Sequence, residues 1–392
     1  MTSTPSRQVA YLDNAATTPM RPEVLEAMLP WMTTAFGNAS AGHSMARTAR
    51  RAVDDARDTL AEVLGCDPGD VVFTSGGTEA DNLAVTGVAL AARERGVDRP
   101  LIGCSAVEHP AVLEPVRAAG GEELPVDADG LVDIARLEDW LSRNSGRVVE
   151  VSVMLVNNET GVIQSVADVA RLTRELAPRA LVHTDAVQGL GWLDVASLAE
   201  MADLITVSAH KIGGPKGVGA LIVRSEARRQ VRPVQRGGPQ ERELRAGTHD
   251  VAGIVGMACA ARLCSAERAV DSRRVEVLAG NLVTGVLAAV AGSGAAVPAD
   301  RRIAAICNLF FEGVESEELL LVLDELGVCA SAGSACASGA LEPSHVLLAM
   351  GRSPQQARQH VRLSLGRSTT VEDVDQAVAA IPEAVARLRG GR

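Results

Sequence analysis

SAHKIGGPKGVG (208–219) contains both lysines of a chain with 38 basic residues. Arginine stands almost everywhere else, and arginine cannot serve where chemistry needs an amine that gives up its proton. The segment follows the apolar run LITVSA (204–209), which predicts a strand. Lys211 is therefore expected at a strand end, beside His210 and small residues. An amine shielded there can be neutral and form a Schiff base with an aldehyde. An exposed lysine in a glycine-rich turn is the plainer reading of the same letters.

Outward from this segment, VVFTS (71–75), PLIGCS (100–105), VVEVSVML (148–155), ALVHTDA (180–186) and ALIVR (220–224) read as further strands. Helical patterns lie between them, at 79–95, 166–176 and 196–201. This alternation predicts an α/β fold with a mostly parallel sheet covered by helices. After about residue 260 a long Ala- and Leu-rich helix, short strands near 304–311 and 328–331, and two further helices suggest a smaller α+β domain. At 392 residues, two domains are expected. We expect a large domain over 15–260 and a small one combining 1–14 with 261–392.

Other candidate residues follow other strands. In SGGTEADN (75–82) the order strand, Gly-Gly-Thr, helix offers unpaired N–H groups that attract phosphate at Gly77 and Thr78. A plain turn with a threonine cap is the alternative. Asp185, in HTDAVQ, ends a hydrophobic strand. A buried carboxylate needs a partner, and a protonated pyridine nitrogen would serve; a helix cap is the alternative. Gln188 could reach a phenolic ring oxygen. His109 could stack on a planar ring and move protons, or be a satisfied core histidine. Asn158, in VNNETG, is otherwise a turn asparagine. Ligands bind at the C-terminal ends of parallel strands in such folds, where these candidates gather.

CASAGSACASGALEPSH (329–345) is built of small residues around Cys336. A thiol with no apolar neighbours can reach a substrate and attack as the thiolate. Cys329, on the apolar run before it, reads as a core residue. Arg362, on the alternating VRLSLGR (361–367), could grip a carboxylate through two hydrogen bonds, or be one more surface arginine.

Composition excludes several classes. The net charge of -11 disfavours direct nucleic-acid binding. The N-terminal stretch has no signal-peptide core, and 277–297 is too interrupted for a membrane span, so a cytoplasmic protein is expected. The seven cysteines are odd in number and form no CxxC pair, which suggests neither a disulfide framework nor a metal site.

Taken together, YLDNAATTP (11–19), FGNASAGH, SGGTEADN, VNNETGV, HTDAVQ, SAHKIGGPKGVG and SAGSACASG resemble the cysteine desulfurases of the class V aminotransferase superfamily, pyridoxal-phosphate fold type I. The likeness extends to VRLSLGRSTTVEDVD (361–375). It implies that Lys211 carries pyridoxal 5'-phosphate covalently. Gly77, Thr78, Ser208 and His210 would hold its phosphate, with Thr248 reaching in from the other subunit of a homodimer. His109 would stack on the ring, Asp185 pair with its nitrogen and Gln188 with its phenolic oxygen, and Asn158 would border it. Arg362 and Asn158, with Asn38, would orient substrate L-cysteine. The Cys336 thiolate would take the sulfur as a persulfide, leaving alanine. The small-residue loop is similar to the extended-loop branch.

Three departures stand out. Arg236-Gly237-Gly238-Pro239 replaces a run of three glycines before Gln240-Glu241. Arg245-Ala246-Gly247-Thr248, followed by His249-Asp250, stands where the family reads Arg-Ser-Gly-Thr. The ending ARLRGGR lacks the tail with which housekeeping members dock an iron–sulfur scaffold. The expected sulfur acceptor is therefore open among iron–sulfur assembly, tRNA thiolation and DNA phosphorothioation. A selenocysteine lyase or aminotransferase of the superfamily, or a non-catalytic sulfur-transfer scaffold, are the alternatives.

Overall fold

The computed structural model describes residues 9–333 and 343–390. Among them the strands are β1 (Ala10–Tyr11), β2 (Val71–Thr74), β3 (Leu101–Ser105), β4 (Glu122–Leu124), β5 (Val148–Ser152), β6 (Leu181–Asp185), β7 (Leu204–Ser208), β8 (Gly219–Val223), β9 (Ser293–Ala295), β10 (Ile306–Phe311), β11 (Val328–Cys329) and β12 (His360–Ser364). The helices are α1 (Pro22–Thr33), α2 (Ser44–Leu64), α3 (Gly77–Glu94), α4 (Pro110–Ala119), α5 (Ile134–Asn144), α6 (Val166–Leu176), α7 (Val195–Leu198), α8 (Val251–Ala289), α9 (Ser316–Glu325), α10 (His345–Ala349), α11 (Pro354–Ala357) and α12 (Val371–Gly390).

Seven strands form the main sheet in the order β2-β8-β7-β6-β5-β3-β4. The pairs from β7 to β4 are parallel, and β8 is antiparallel to both its neighbours. Because β8 reverses between them, β2 runs in the same direction as β7. The strand residues of β2, β3 and β5 to β8 are buried throughout. That explains why they read as continuous apolar runs rather than alternating ones. The α/β expectation holds. The chain also has β4, a short exposed-buried run that the pattern did not mark.

The second half is built on a three-stranded antiparallel sheet, β12-β10-β9, and a two-stranded parallel pair, β1-β11. Residues 10–11 thus pair with residues 328–329. Cys329 is half-buried on that pair instead of in a core. The expected boundary at residue 260 falls inside α8, a single helix of 39 residues and about 58 Å. Asp250 caps it, accepting from Gly253 N–H at 3.0 Å. Its first half lies against α1 (Gly256 on Met28) and its last turns against α12 (Gly285 on Val378). No helix among the described residues is long and apolar enough to cross a membrane.

Candidate active site

The strand ends of β2, β3, β5, β6 and β7 bring their following residues to one edge of the main sheet. Gly77 and Thr78 open α3 after β2. Gly76 has φ of 153°, which favours glycine. A Cβ on Gly77 would lie 2.9 Å from Val187 Cγ2. The backbone therefore approaches the β6–α7 loop more closely than other residues would permit. His109 caps α4, Asp185 ends β6, and Ser208 ends β7 just before His210 and Lys211.

These side chains line one cavity of about 350 Å³, together with Asn158, Gln188 and Arg362. Lys211 Nζ donates to the Ala16 carbonyl at 3.0 Å and to the Ala15 carbonyl. Gln188 Nε2 donates to the same Ala15 carbonyl at 2.7 Å. Asp185 accepts from Val187 N–H at 2.8 Å. Burial raises its carboxyl to about 6, against the pull of that N–H and of Lys211. Burial also lowers His109 to about 4, helped by the positive charge of Lys211 and by His345. His109 Nδ1 accepts from Ala111 N–H at 3.1 Å, which fixes the ring. His210 Nδ1 lies 3.1 Å from Thr17 Oγ1, and its burial likewise lowers it to about 4. Both imidazoles are neutral at pH 7.

Three buried polar atoms of residues at this cavity, Ser208 Oγ, Arg362 Nε and Asp81 Oδ1, have no hydrogen-bond partner among the described residues. Such atoms are costly unless something else satisfies them. The remaining Arg362 nitrogens are engaged: Nη1 donates to Asn158 O at 2.8 Å and Nη2 to Asp13 Oδ1 at 2.7 Å. A hydroxyl donor beside the α3 N-terminus suits phosphate, and a free guanidinium edge suits carboxylate.

Two expected residues stand apart from the cavity. Asn38 is exposed and accepts from Ser40 N–H at 2.9 Å. Thr248 is exposed on the segment before α8. Cys336 lies outside the described residues. Sequence reading missed three contributors. Asp13 orients Arg362, the Ala15 and Ala16 carbonyls receive Lys211, and Asp81 lines the cavity floor. Asp81 left a detectable signal, since it sits one turn after Thr78 on the otherwise apolar face of α3.

The class-V aminotransferase family matches residues 10–377, and the chain belongs to that family. It is 42% identical over 390 residues to an IscS-like cysteine desulfurase of Mycobacterium tuberculosis, covering 97% of each chain. Among solved structures it is similar to a NifS-like protein (TM-score 0.89, 33% identity, 97% of this chain and 100% of that one). It is also similar to DndA from Streptomyces lividans (TM-score 0.74, 36% identity, 90% and 99%). Within the class-V family, the chain stands among the cysteine desulfurases.

Proposed function

We propose that this protein is a pyridoxal-phosphate-dependent cysteine desulfurase. It converts L-cysteine to L-alanine and passes the sulfur through Cys336 to an acceptor protein. The observation that carries this reading is the meeting of Lys211, Asp185, a partnerless Ser208 Oγ and a partnerless Arg362 Nε in one cavity.

The residues present fit the coenzyme. Lys211 would bind it covalently, and Gly77, Thr78, Ser208 and His210 would hold its phosphate. Asp185 would face the ring nitrogen, Gln188 the phenolic oxygen and His109 the ring face. When bound, pyridoxal phosphate supplies an electron sink for charge developing at the substrate Cα.

The chain's own groups do the rest. Arg362, steadied by Asp13, grips the substrate carboxylate, with Asn158 beside it. The Lys211 amine takes the Cα proton and later returns it. The Cys336 thiolate attacks the substrate sulfur, so an S–S bond forms as the substrate C–S bond breaks. Cys336 keeps the sulfur until an acceptor thiol removes it.

A homodimer is part of the reading. Leu25, Leu29, Met32 and Phe36 are exposed along and after α1, an apolar ridge suited to a second copy. Thr248 would then complete the partner's phosphate site. A cytoplasmic location, and a division into 15–260 against the two chain ends, also belong to it.

The test is direct. Purified protein with pyridoxal phosphate and L-cysteine is expected to release alanine, and mass spectrometry to find one extra sulfur on Cys336. Cys336→Ala should keep the coenzyme but lose desulfuration. Unchanged turnover in that variant would mean an aminotransferase or lyase that does not need the thiol.

A further inference from the structure

At and around the cavity are buried acids of which the reaction above uses only Asp185. Asp81, Glu108 and Glu150 are at most 1% exposed, and Asp185 is 6% exposed. No arginine or lysine forms a salt bridge with Asp81, Glu108 or Glu150 among the described residues. Glu108 accepts from Met154 N–H at 2.6 Å, while neither oxygen of Glu150 has a partner.

Asp81 is tied to the sheet by a chain of polar side chains. Ser152 Oγ lies 2.8 Å from His183 Nδ1, and His183 Nε2 lies 3.1 Å from Thr206 Oγ1 and 3.6 Å from Asp81 Oδ1. Thr206 also engages the Asp81 carboxyl. Asp81 Oδ1 has no hydrogen-bond partner among the described residues. Asp81 and Asp185 line the same cavity. Like charges sharing a buried site disfavour each other's ionised form, and Asp185 raises the Asp81 carboxyl.

We propose that Asp81 and Asp185 form an unequal pair: Asp81, anchored through Thr206, His183 and Ser152, carries the proton, and Asp185 is left as the single anion facing the coenzyme's ring nitrogen. Asp81 is thus a positioning residue that acts through Asp185. The assignment rests on the coenzyme reading, since it is the ring nitrogen that Asp185 serves.

The asymmetry has a physical source. Asp185 has the Val187 N–H on its side, and the Lys211 charge while that amine is free; with the coenzyme bound, the ring nitrogen would take that place. Asp81 faces no cation among the described residues. Around it stand Asp185, Glu108 and Glu150, together with His183, a neutral imidazole whose burial lowers it to about 3. Burial and then these three acids hold Asp81 well above the usual carboxylate range, against the opposing pull of the Thr206 hydroxyl, which fixes the carboxyl in place. Were Asp81 ionised as well, the second charge would pull the ring proton away from Asp185 and blur its position.

The experiment uses holoenzyme at pH 8. Infrared spectra in water and deuterium oxide are expected to show deuterium-sensitive carbonyl stretches of neutral carboxylic acids, one of which disappears in Asp81→Asn. The pH titration of the coenzyme's visible absorption should stay within twofold of wild type in Asp81→Asn, an isostere of the neutral acid, and move more than tenfold in Asp185→Asn. Absence of any neutral-acid band in wild type overturns the proposal. So does an Asp81→Asn variant that keeps every band, or that moves the titration as far as Asp185→Asn does. Should Asp81→Asn not fold, the wild-type bands and Thr206→Val decide. Thr206→Val is expected to shift the Asp81 band, and an unmoved band overturns the anchoring. Wild-type protein that takes up no coenzyme overturns the coenzyme reading instead, while the infrared bands still report on Asp81.

Discussion

Arg362 Nη2 and Asp13 Oδ1 meet at 2.7 Å, joining β12 to the segment just after β1. The Arg362 side chain is 3% exposed and its buried Nε has no hydrogen-bond partner among the described residues. Arg362→Lys keeps a charge but not the fork. We expect coenzyme content to be unchanged and KM for cysteine to rise by roughly 10- to 100-fold, the cost of a lost charge-assisted hydrogen bond. Steady-state kinetics with a visible spectrum of each preparation checks this. An unaltered KM would remove Arg362 from substrate binding.

A buried clamp should govern stability in acid. Arg57 holds Glu241 at 2.7 and 2.9 Å, with Phe73 N–H at 2.8 Å and His249 Nε2 at 2.7 Å. Burial works to raise the Glu241 carboxyl, but the bonds from His249, Arg57 and Phe73 win and bring it down to about 2. Its folded value lies below the unfolded one, so the stabilisation is present above pH 4.5 and fades as pH falls toward 2. That gap is worth roughly 3 kcal/mol. Breaking the pair by Glu241→Gln should cost about 3–5 kcal/mol at pH 7 in urea unfolding. The deficit should shrink below pH 3.

Glu150 should act in the opposite sense. Burial raises it from 4.5 to about 8. The unfolded carboxyl ionises near pH 4.5 and the folded one only near 8. Stability is therefore lost as pH rises between those values. Glu150→Leu is expected to gain roughly 4 kcal/mol at pH 8 and much less of that at pH 4. Equal unfolding midpoints for variant and wild type at pH 8 would contradict this.

Gly77→Ala tests the approach of backbone to the phosphate cradle. Its added Cβ meets Val187 Cγ2 at 2.9 Å and lies 3.6 Å from Ser208 Cβ. Val187 is stiff at χ1 and can yield little. Coenzyme affinity should fall by about tenfold, on the order of 1.4 kcal/mol, with little loss of thermal stability in the apo-protein. Coenzyme titration followed by fluorescence measures it.

The main sheet was legible because its buried strands are uninterrupted apolar runs, and the site because Lys211 is one of only two lysines. What lies far apart in sequence was not legible. The Ala15 and Ala16 carbonyls carry no side-chain signature, yet they receive Lys211 from 195 residues away. Asp13 looked like any motif aspartate until its partner, 349 residues on, came beside it. Strand β4 escaped because two of its three residues are exposed glutamates. The expected boundary at residue 260 lies within α8, whose helical composition runs on unbroken past it.

The pairing of β1 with β11 sets an order on synthesis. The strand partner of residues 10–11, at 328–329, leaves the ribosome more than three hundred residues after them. At typical translation speeds of 5–20 residues per second that delay is roughly 16–60 s. The nascent main sheet can form during that interval. The Ala15–Ala16 carbonyls that receive Lys211 follow closely on β1, so their setting is completed only when residues 328–329 arrive. A truncated chain released early would thus hold most of its sheet and none of its chemistry.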